Sequence, residues 1–197
     1  EKGKPVIIKT DVLKDTMPSC VSFTKKCSVK AGDAAFNDLK ADKRRASKSG
    51  KKDESNAYVE FKRTMATTTR YHSSFMNRDY SSEELSAEVL KTLKSFVTDE
   101  TVNSVVITVP AKFTVNQKTA TIEAAKLAGF SHCELLQEPI AASMAYGLDS
   151  DDKNGLWMVF DFGGGTFDAA LLKVEDGIMQ VFDTEGDNYL GGKNLDY

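Results

Sequence analysis

The sequence predicts an α/β domain with a mixed sheet. Three observations predict it. Through the middle of the chain, strand-length apolar runs alternate with helical stripes. Toward the end, three strand-like runs follow one another with no helix between them. And the apolar run Leu156–Phe160 stops at Asp161 and the glycines 163–165 before a second run begins at Ala169. Alternating strands and helices imply crossover connections, while strands joined by short turns imply an antiparallel meander.

Composition sets the limits. The 197 residues are 41% hydrophobic and 28% charged, which suits a soluble globular protein. The net charge of −3 creates no global field for nucleic acid. No apolar run approaches the ~20 residues of a membrane span. Cys20, Cys27 and Cys133 are odd in number and lack metal-ligand spacing, so they read as free thiols in a reducing compartment, and a cytoplasmic location is expected. With only His72 and His132, a zinc site is not expected. The chain opens at Glu1 and stops at Tyr197, just after a glycine turn, so both ends read as cut.

Taken in order, Val6–Lys9 and Cys20–Thr24 read as short strands, separated by a polar loop that closes at Met17-Pro18-Ser19. Gly32-Asp33 caps a helix expected to run to about Asp42. Lys40, Lys43, Arg44, Arg45, Lys48, Lys51 and Lys52 crowd residues 40–56. No aromatic is interleaved and Asp42, Asp53 and Glu54 dilute the charge, so the stretch reads as a solvated helix end running into a loop. Glu60–Arg63 begins a new element and Thr67–Ser74 reads as loop. Ser81-Ser-Glu-Glu84 is a capping box ahead of a stripe at Leu85, Val89, Leu90, Leu93, Phe96 and Val97. Ser104–Val109 is a buried strand ended by Pro110, which cannot donate to a ladder. Thr114 caps a helix with Ile122, Ala125, Leu127 and Ala128 on its inner face and Gly129 at its stop. Cys133–Leu136 is a strand, and Glu138-Pro139 opens a small-residue helix through Leu148. Ser150–Gly155 is a polar turn and the expected domain boundary. Strands Leu156–Asp161, Phe167–Val174 and Ile178–Asp183 follow, the last two joined by the hairpin turn Glu175-Asp-Gly177.

The glycine turn carries the chemistry. Without a Cβ, Gly163, Gly164 and Gly165 let backbone N–H groups approach a phosphate, Thr166 adds a hydroxyl, and Asp161 at the strand end can hold a hydrated cation. Taken alone, a glycine run is usually a plain turn. Three further motifs accompany it: Ile107-Thr-Val-Pro-Ala-Lys-Phe113, Gln137-Glu-Pro-Ile-Ala-Ala-Ser-Met-Ala-Tyr-Gly-Leu-Asp149, and Leu190-Gly-Gly-Lys-Asn-Leu-Asp196.

In this order and spacing, the four motifs closely resemble the ATPase domain of the DnaK-type seventy-kilodalton heat-shock chaperones. The resemblance is strong from Ser81 to Asp196 and weaker before it. It implies an actin-like, ribonuclease-H-like ATPase fold, with mixed sheets and flanking helices, here incomplete. Residues 1–149 are then most of the first lobe and residues 150–197 the opening meander of the second. It implies binding of ATP or ADP with Mg²⁺, and hydrolysis that drives peptide binding and release in the intact protein. By the same resemblance, Gly163–Thr166 is a phosphate loop and Asp161 holds metal-bound water. Glu138 joins that hydration shell or orients the attacking water, Lys62 contacts the γ-phosphate and the water, Asp168 is a further carboxylate at the metal, and Gly191 and Gly192 line the phosphate cleft. Implied partners are unfolded peptides through a further domain, a J-domain co-chaperone and a nucleotide-exchange factor, with neither nucleic acid nor membrane among them.

Departures from the family pattern are specific. No Asp-x-Gly-Thr-Thr loop is present, Lys193-Asn194 stand where two acids are usual, and Met65-Ala66-Thr67 replaces a more glycine- and basic-rich turn after Lys62. Residues 1–197 alone are therefore expected to be inactive. Glu-Pro-x-Ala-Ala and Asp-x-Gly-Gly-Gly-Thr also occur in bacterial actin-like filament proteins, although Ala145–Asp149 and Gly165–Asp168 favour the chaperones. A chaperone-derived regulatory protein without hydrolysis is the other alternative, kept open by Lys193-Asn194.

Overall fold

The computed structural model describes residues 5–49, 55–147, 154–164, 166–187 and 190–194. In chain order the elements are β1 (Cys20–Phe23), β2 (Val29–Ala31), α1 (Asp33–Ser49), β3 (Ala57–Val59), a 3-10 helix (Phe61–Thr64), β4 (Tyr71–Ser73), β5 (Arg78–Tyr80), α2 (Ser82–Ser95), β6 (Ser104–Val109), α3 (Val115–Leu127), β7 (His132–Gln137), α4 (Glu138–Ala145), β8 (Gly155–Phe162), β9 (Phe167–Glu175), β10 (Ile178–Asp187) and a 3-10 turn (Gly192–Asn194). They form two compact units, one drawn from Glu1–Val105 with Ala120–His132, the other from Val106–Thr119 with Cys133–Tyr197.

In the first unit, β1 lies between β2 and β3 with both pairings antiparallel. All four side chains of β1 are buried. Val21 and Phe23 join Phe61, Tyr80, Leu85 and Val89 in one core cluster, and Cys20 joins Ala35, Leu39 and Ala57 in another beneath α1. The Phe23 and Tyr80 rings stack with centroids 4.3 Å apart. Buried Asn56 ties the sheet to the β4–β5 hairpin: its oxygen accepts from Ser73 Oγ at 2.9 Å and its amide donates to Ser74 Oγ at 2.9 Å. Helix α2 starts on the expected capping box, with Glu84 N donating to Ser81 Oγ at 3.2 Å and Ser81 N to Glu84 Oε2 at 2.9 Å.

Several expectations for this unit are corrected. Residues 6–9 form no strand: they do not join the β2-β1-β3 sheet, and Val6, Ile7 and Ile8 stay exposed. Helix α1 continues to Ser49 rather than stopping near Asp42. Lys43, Arg44 and Arg45 are good helix formers, Arg45 pairs with Asp42 one turn back, and Lys48 suits the C-terminal dipole. Part of the stretch read as loop, residues 71–73, is β4. Leu127 was expected to face inward and is exposed; Ala120, Thr121, Ala124 and Ala125 form the buried side of α3 instead.

In the second unit, β8, β9 and β10 make the expected antiparallel meander, and β6 pairs with β7. The turn from β9 to β10 has Asp176 at φ 51° and Gly177 at φ 75°, the two positive values a primed hairpin turn requires. Strand β6 is not buried on both faces, since Val106 is exposed while Val109 is buried. Along β9, Asp168, Ala170, Leu172 and Val174 are buried, whereas Leu156, Met158, Phe160 and Phe182 of β8 and β10 are exposed, so apolar sheet surface stays open. Helix α4 packs on β8, and a groove of about 500 Å³ lies between Ala142, Ser143 and Tyr146 and the segment Trp157–Asp161. Ser143 is buried and donates to Pro139 O at 2.7 Å within the helix. Leu148 and residues 150–153, where the helix end and the boundary were expected, lie outside the described residues.

Candidate functional site

The end of the β8–β9 hairpin gathers most of the expected site. Asp161 pairs in register with Asp168, so the two carboxylates project from directly opposite positions on one face of the sheet. Asp168 is 3% exposed. Two carboxylates at one strand end are a donor set that a hydrated cation can use.

Between them runs the glycine turn. Gly163 N donates to Thr166 O at 3.0 Å, closing the turn. A Cβ at Gly163 would lie 3.4 Å from Thr166 O, while one at Gly164 would meet nothing within 4 Å. Space beside Gly164 is therefore open to a ligand. Gly165 lies outside the described residues.

The second glycine pair, far along the chain, is brought to the first. Gly192 N donates to Gly163 O at 2.9 Å. Asn194 shapes that turn from within: its Oδ1 accepts from Gly191 N at 3.0 Å and its own N donates to Gly191 O at 2.8 Å. The side-chain acceptor at position 194 thus has a local backbone task that an amide performs as well as an acid.

Two supporting residues escaped the sequence reading. Gly186 of β10 sits opposite Asp168, and a Cβ there would fall within 3.0 Å of Phe167 O and 3.0 Å from Asp168 Oδ1. Its missing side chain is what gives the Asp168 carboxylate room. No local signal marks it, because its φ is not positive and the constraint comes from the neighbouring strand. Beside it, Lys112 Nζ pairs with Glu185 Oε2 at 2.7 Å and, through that hydrogen bond, holds the Glu185 carboxyl below its usual range.

Glu138 is the first residue of α4, half-buried, with Pro139 buried after it. A carboxylate there suits the helix N-terminus. Lys62 belongs to the other compact unit, exposed on the 3-10 helix Phe61–Thr64.

The donor set fits a hydrated magnesium nucleotide. Among the described residues no group of three or more His, Cys, Asp or Glu side chains could hold a metal ion by itself. Mg²⁺ keeps several waters and takes one or two carboxylates plus phosphate oxygens, which is what Asp161, Asp168 and an open glycine turn offer.

The sequence profile of the Hsp70 protein family matches residues 1–197, and the chain belongs to that family, whose fold is the actin-like ATPase fold. Over its full length it is 39% identical to the chaperone protein DnaK of Ureaplasma parvum serovar 3, covering 30% of that protein. It is 38% identical to the chaperone protein dnaK of Phaeodactylum tricornutum, covering 34%, and 36% identical to the chaperone protein dnaK1 of Prochlorococcus marinus, covering 31%. The chain thus spans about a third of the length of these relatives. No helix among the described residues is long and apolar enough to cross a membrane.

Proposed function

We propose that the chain is part of the ATPase domain of an ATP-dependent chaperone, with residues 1–149 most of its first lobe and residues 150–197 the opening meander of its second. The observation that carries the reading is the hydrogen bond from Gly192 N to Gly163 O, which joins two glycine turns beside the Asp161–Asp168 pair. Phosphoryl transfer to water asks little covalent chemistry of a protein. It asks for charge neutralisation and a placed water.

Bound Mg²⁺ would supply the neutralising charge and hold water molecules in fixed directions. The chain's own residues bind and orient. The Gly163–Gly165 turn, which the Gly163 N–H closes by donating to Thr166 O, receives phosphate oxygens through the Gly164 N–H and the Thr166 hydroxyl, and the Gly191-Gly192 turn, its N–H groups donated to Asn194 Oδ1 and Gly163 O, lines the cleft. Asp161 and Asp168 accept hydrogen bonds from metal-bound water. Glu138 joins that shell or orients the attacking water. Lys62 adds fixed positive charge at the γ-phosphate. Hydrolysis in the intact protein would drive binding and release of unfolded peptide, with a J-domain co-chaperone and a nucleotide-exchange factor as partners. The three free cysteines support a reducing, cytoplasmic setting.

The test is Asp161→Asn in the intact ATPase. Nucleotide affinity in Mg²⁺ should fall about tenfold or more, as expected when a charge-assisted hydrogen bond is lost. Affinity in EDTA should stay within about twofold. Equal Mg²⁺-dependent affinity in mutant and wild type would refute the assignment.

A further inference from the structure

We infer that Glu83 is a positioning residue for Lys62: it clamps the backbone turn that follows Lys62 and so sets where the lysine amine stands during hydrolysis. This rests on the role of Lys62 proposed above.

Glu83 lies in the first turn of α2, and its Oε1 accepts from Ala66 N at 2.9 Å, across 17 residues of chain. Ala66 has φ 60°, a conformation that side-chain-bearing residues resist. A turn held in that region needs an external tie, and Glu83 supplies one. Next to it, Ser82 Oγ donates to Thr64 O at 3.0 Å and lies 2.8 Å from Thr64 Oγ1, which lies 2.6 Å from the Tyr71 hydroxyl. Glu84 is engaged elsewhere, with Ser81 N and Arg78, so Glu83 is the acid of that turn that addresses the Lys62 segment.

From the inner side, Phe61 is buried in the core, and Met65 is buried against Leu90, Ala120 and Ala124. The backbone around Lys62 is therefore fixed at Phe61, Thr64, Met65 and Ala66, while the Lys62 side chain is exposed. Burial would push the Glu83 carboxyl up, but the Ala66 N–H, the hydrogen bonds to Ser81 and to its own backbone, and the Arg70 charge hold it below the usual range. It is an anion at neutral pH, and a charge-assisted bond to Ala66 is stronger than a neutral one.

Single-turnover hydrolysis and nucleotide affinity are to be measured on the intact ATPase carrying Glu83→Ala, Glu83→Met, Glu83→Gln, Lys62→Ala and Lys62→Ala with Glu83→Ala. Small displacements of a positioned group cost large factors in rate, so Glu83→Ala should lower the hydrolysis rate about tenfold and leave affinity within about twofold. Glu83→Met keeps the volume without the acceptor, carries the same expectation, and serves if the alanine variant does not fold. Glu83→Gln keeps an acceptor oxygen and should remain within about threefold of wild type. In the Lys62→Ala background, Glu83→Ala should cost almost nothing more, since residues acting through one group are not additive. If Glu83→Ala or Glu83→Met hydrolyses at the wild-type rate while Lys62→Ala does not, the clamp is overturned and Lys62 stands. A full additive loss in the double variant also overturns it. If Lys62→Ala is itself unimpaired, the reading of Lys62 falls and the clamp with it.

Discussion

Replacing Gly186 by alanine tests whether the site depends on clearance between strands. Gly186 of β10 faces Asp168 of β9, and an added Cβ would sit within 3.0 Å of Phe167 O, 3.0 Å from Asp168 Oδ1 and 3.1 Å from Asp168 Cα. Two of those atoms are backbone and cannot swing aside, so the strands must part. Overpacking of this kind costs about 1–3 kcal/mol. Alanine's smaller unfolded-state entropy returns about 0.4–1 kcal/mol. The net loss is then about 1–2 kcal/mol, which at a urea slope near 2 kcal/mol/M lowers the midpoint by about 0.5–1 M. The assay is fluorescence of Trp157 in urea. Trp157 is the single tryptophan and lies on β8 of the same sheet, opposite Leu172, so its signal reports this unit. Displacement of Asp168 should also weaken Mg²⁺-dependent nucleotide binding in the intact ATPase. A midpoint equal to wild type would refute the clearance argument.

Ala66→Gly should act in the opposite direction. Relief of a left-handed alanine is worth about 1–2 kcal/mol, less about 0.4–1 kcal/mol for the freer unfolded chain, so urea unfolding followed by circular dichroism should show a gain of up to about 1.6 kcal/mol. Ser81→Ala removes the acceptor that caps α2 and should cost about 1 kcal/mol in the same experiment. Burial, with the Asp38 charge behind it, pushes the Cys20 thiol up to about 12, so a maleimide at pH 8 should leave Cys20 unlabelled in the native protein and label it in urea. Equal native and denatured labelling rates would contradict that. Residues 1–197 alone should release no phosphate from Mg-ATP, and steady turnover would show that these residues suffice.

The parts of the fold visible in sequence are those with long local signals. The meander was legible because β8, β9 and β10 are eight to ten residues long and one turn carries Asp176-Gly177. Helix α2 announced itself through Ser81 and Glu84. Helix α3 did so through Thr114, whose Oγ1 accepts from Gln117 N at 3.3 Å, and through Gly129 at φ 82°. Strands β2, β3, β4 and β5 were not visible, because each is three residues long and places only one or two side chains on either face. Such strands exist because a partner supplies the ladder, as β1 does for β2 and β3.

The candidate site divides along the same line. Sequence alone determined which groups are present: the carboxylate before the glycine turn, the hydroxyl after it, the second glycine pair, the acid opening α4 and Lys62. Caps, turns and periodicity are properties of neighbouring residues, so they are written locally. Only the tertiary structure decided that Asp161 and Asp168 stand in register, that Gly192 reaches Gly163, that Gly186 leaves room for a carboxylate, and that Glu83 ties down the turn after Lys62. Each of those facts depends on the spacing between segments distant in the chain, and strand register and backbone clearance are set by the packing of the whole sheet, which no local run of residues encodes.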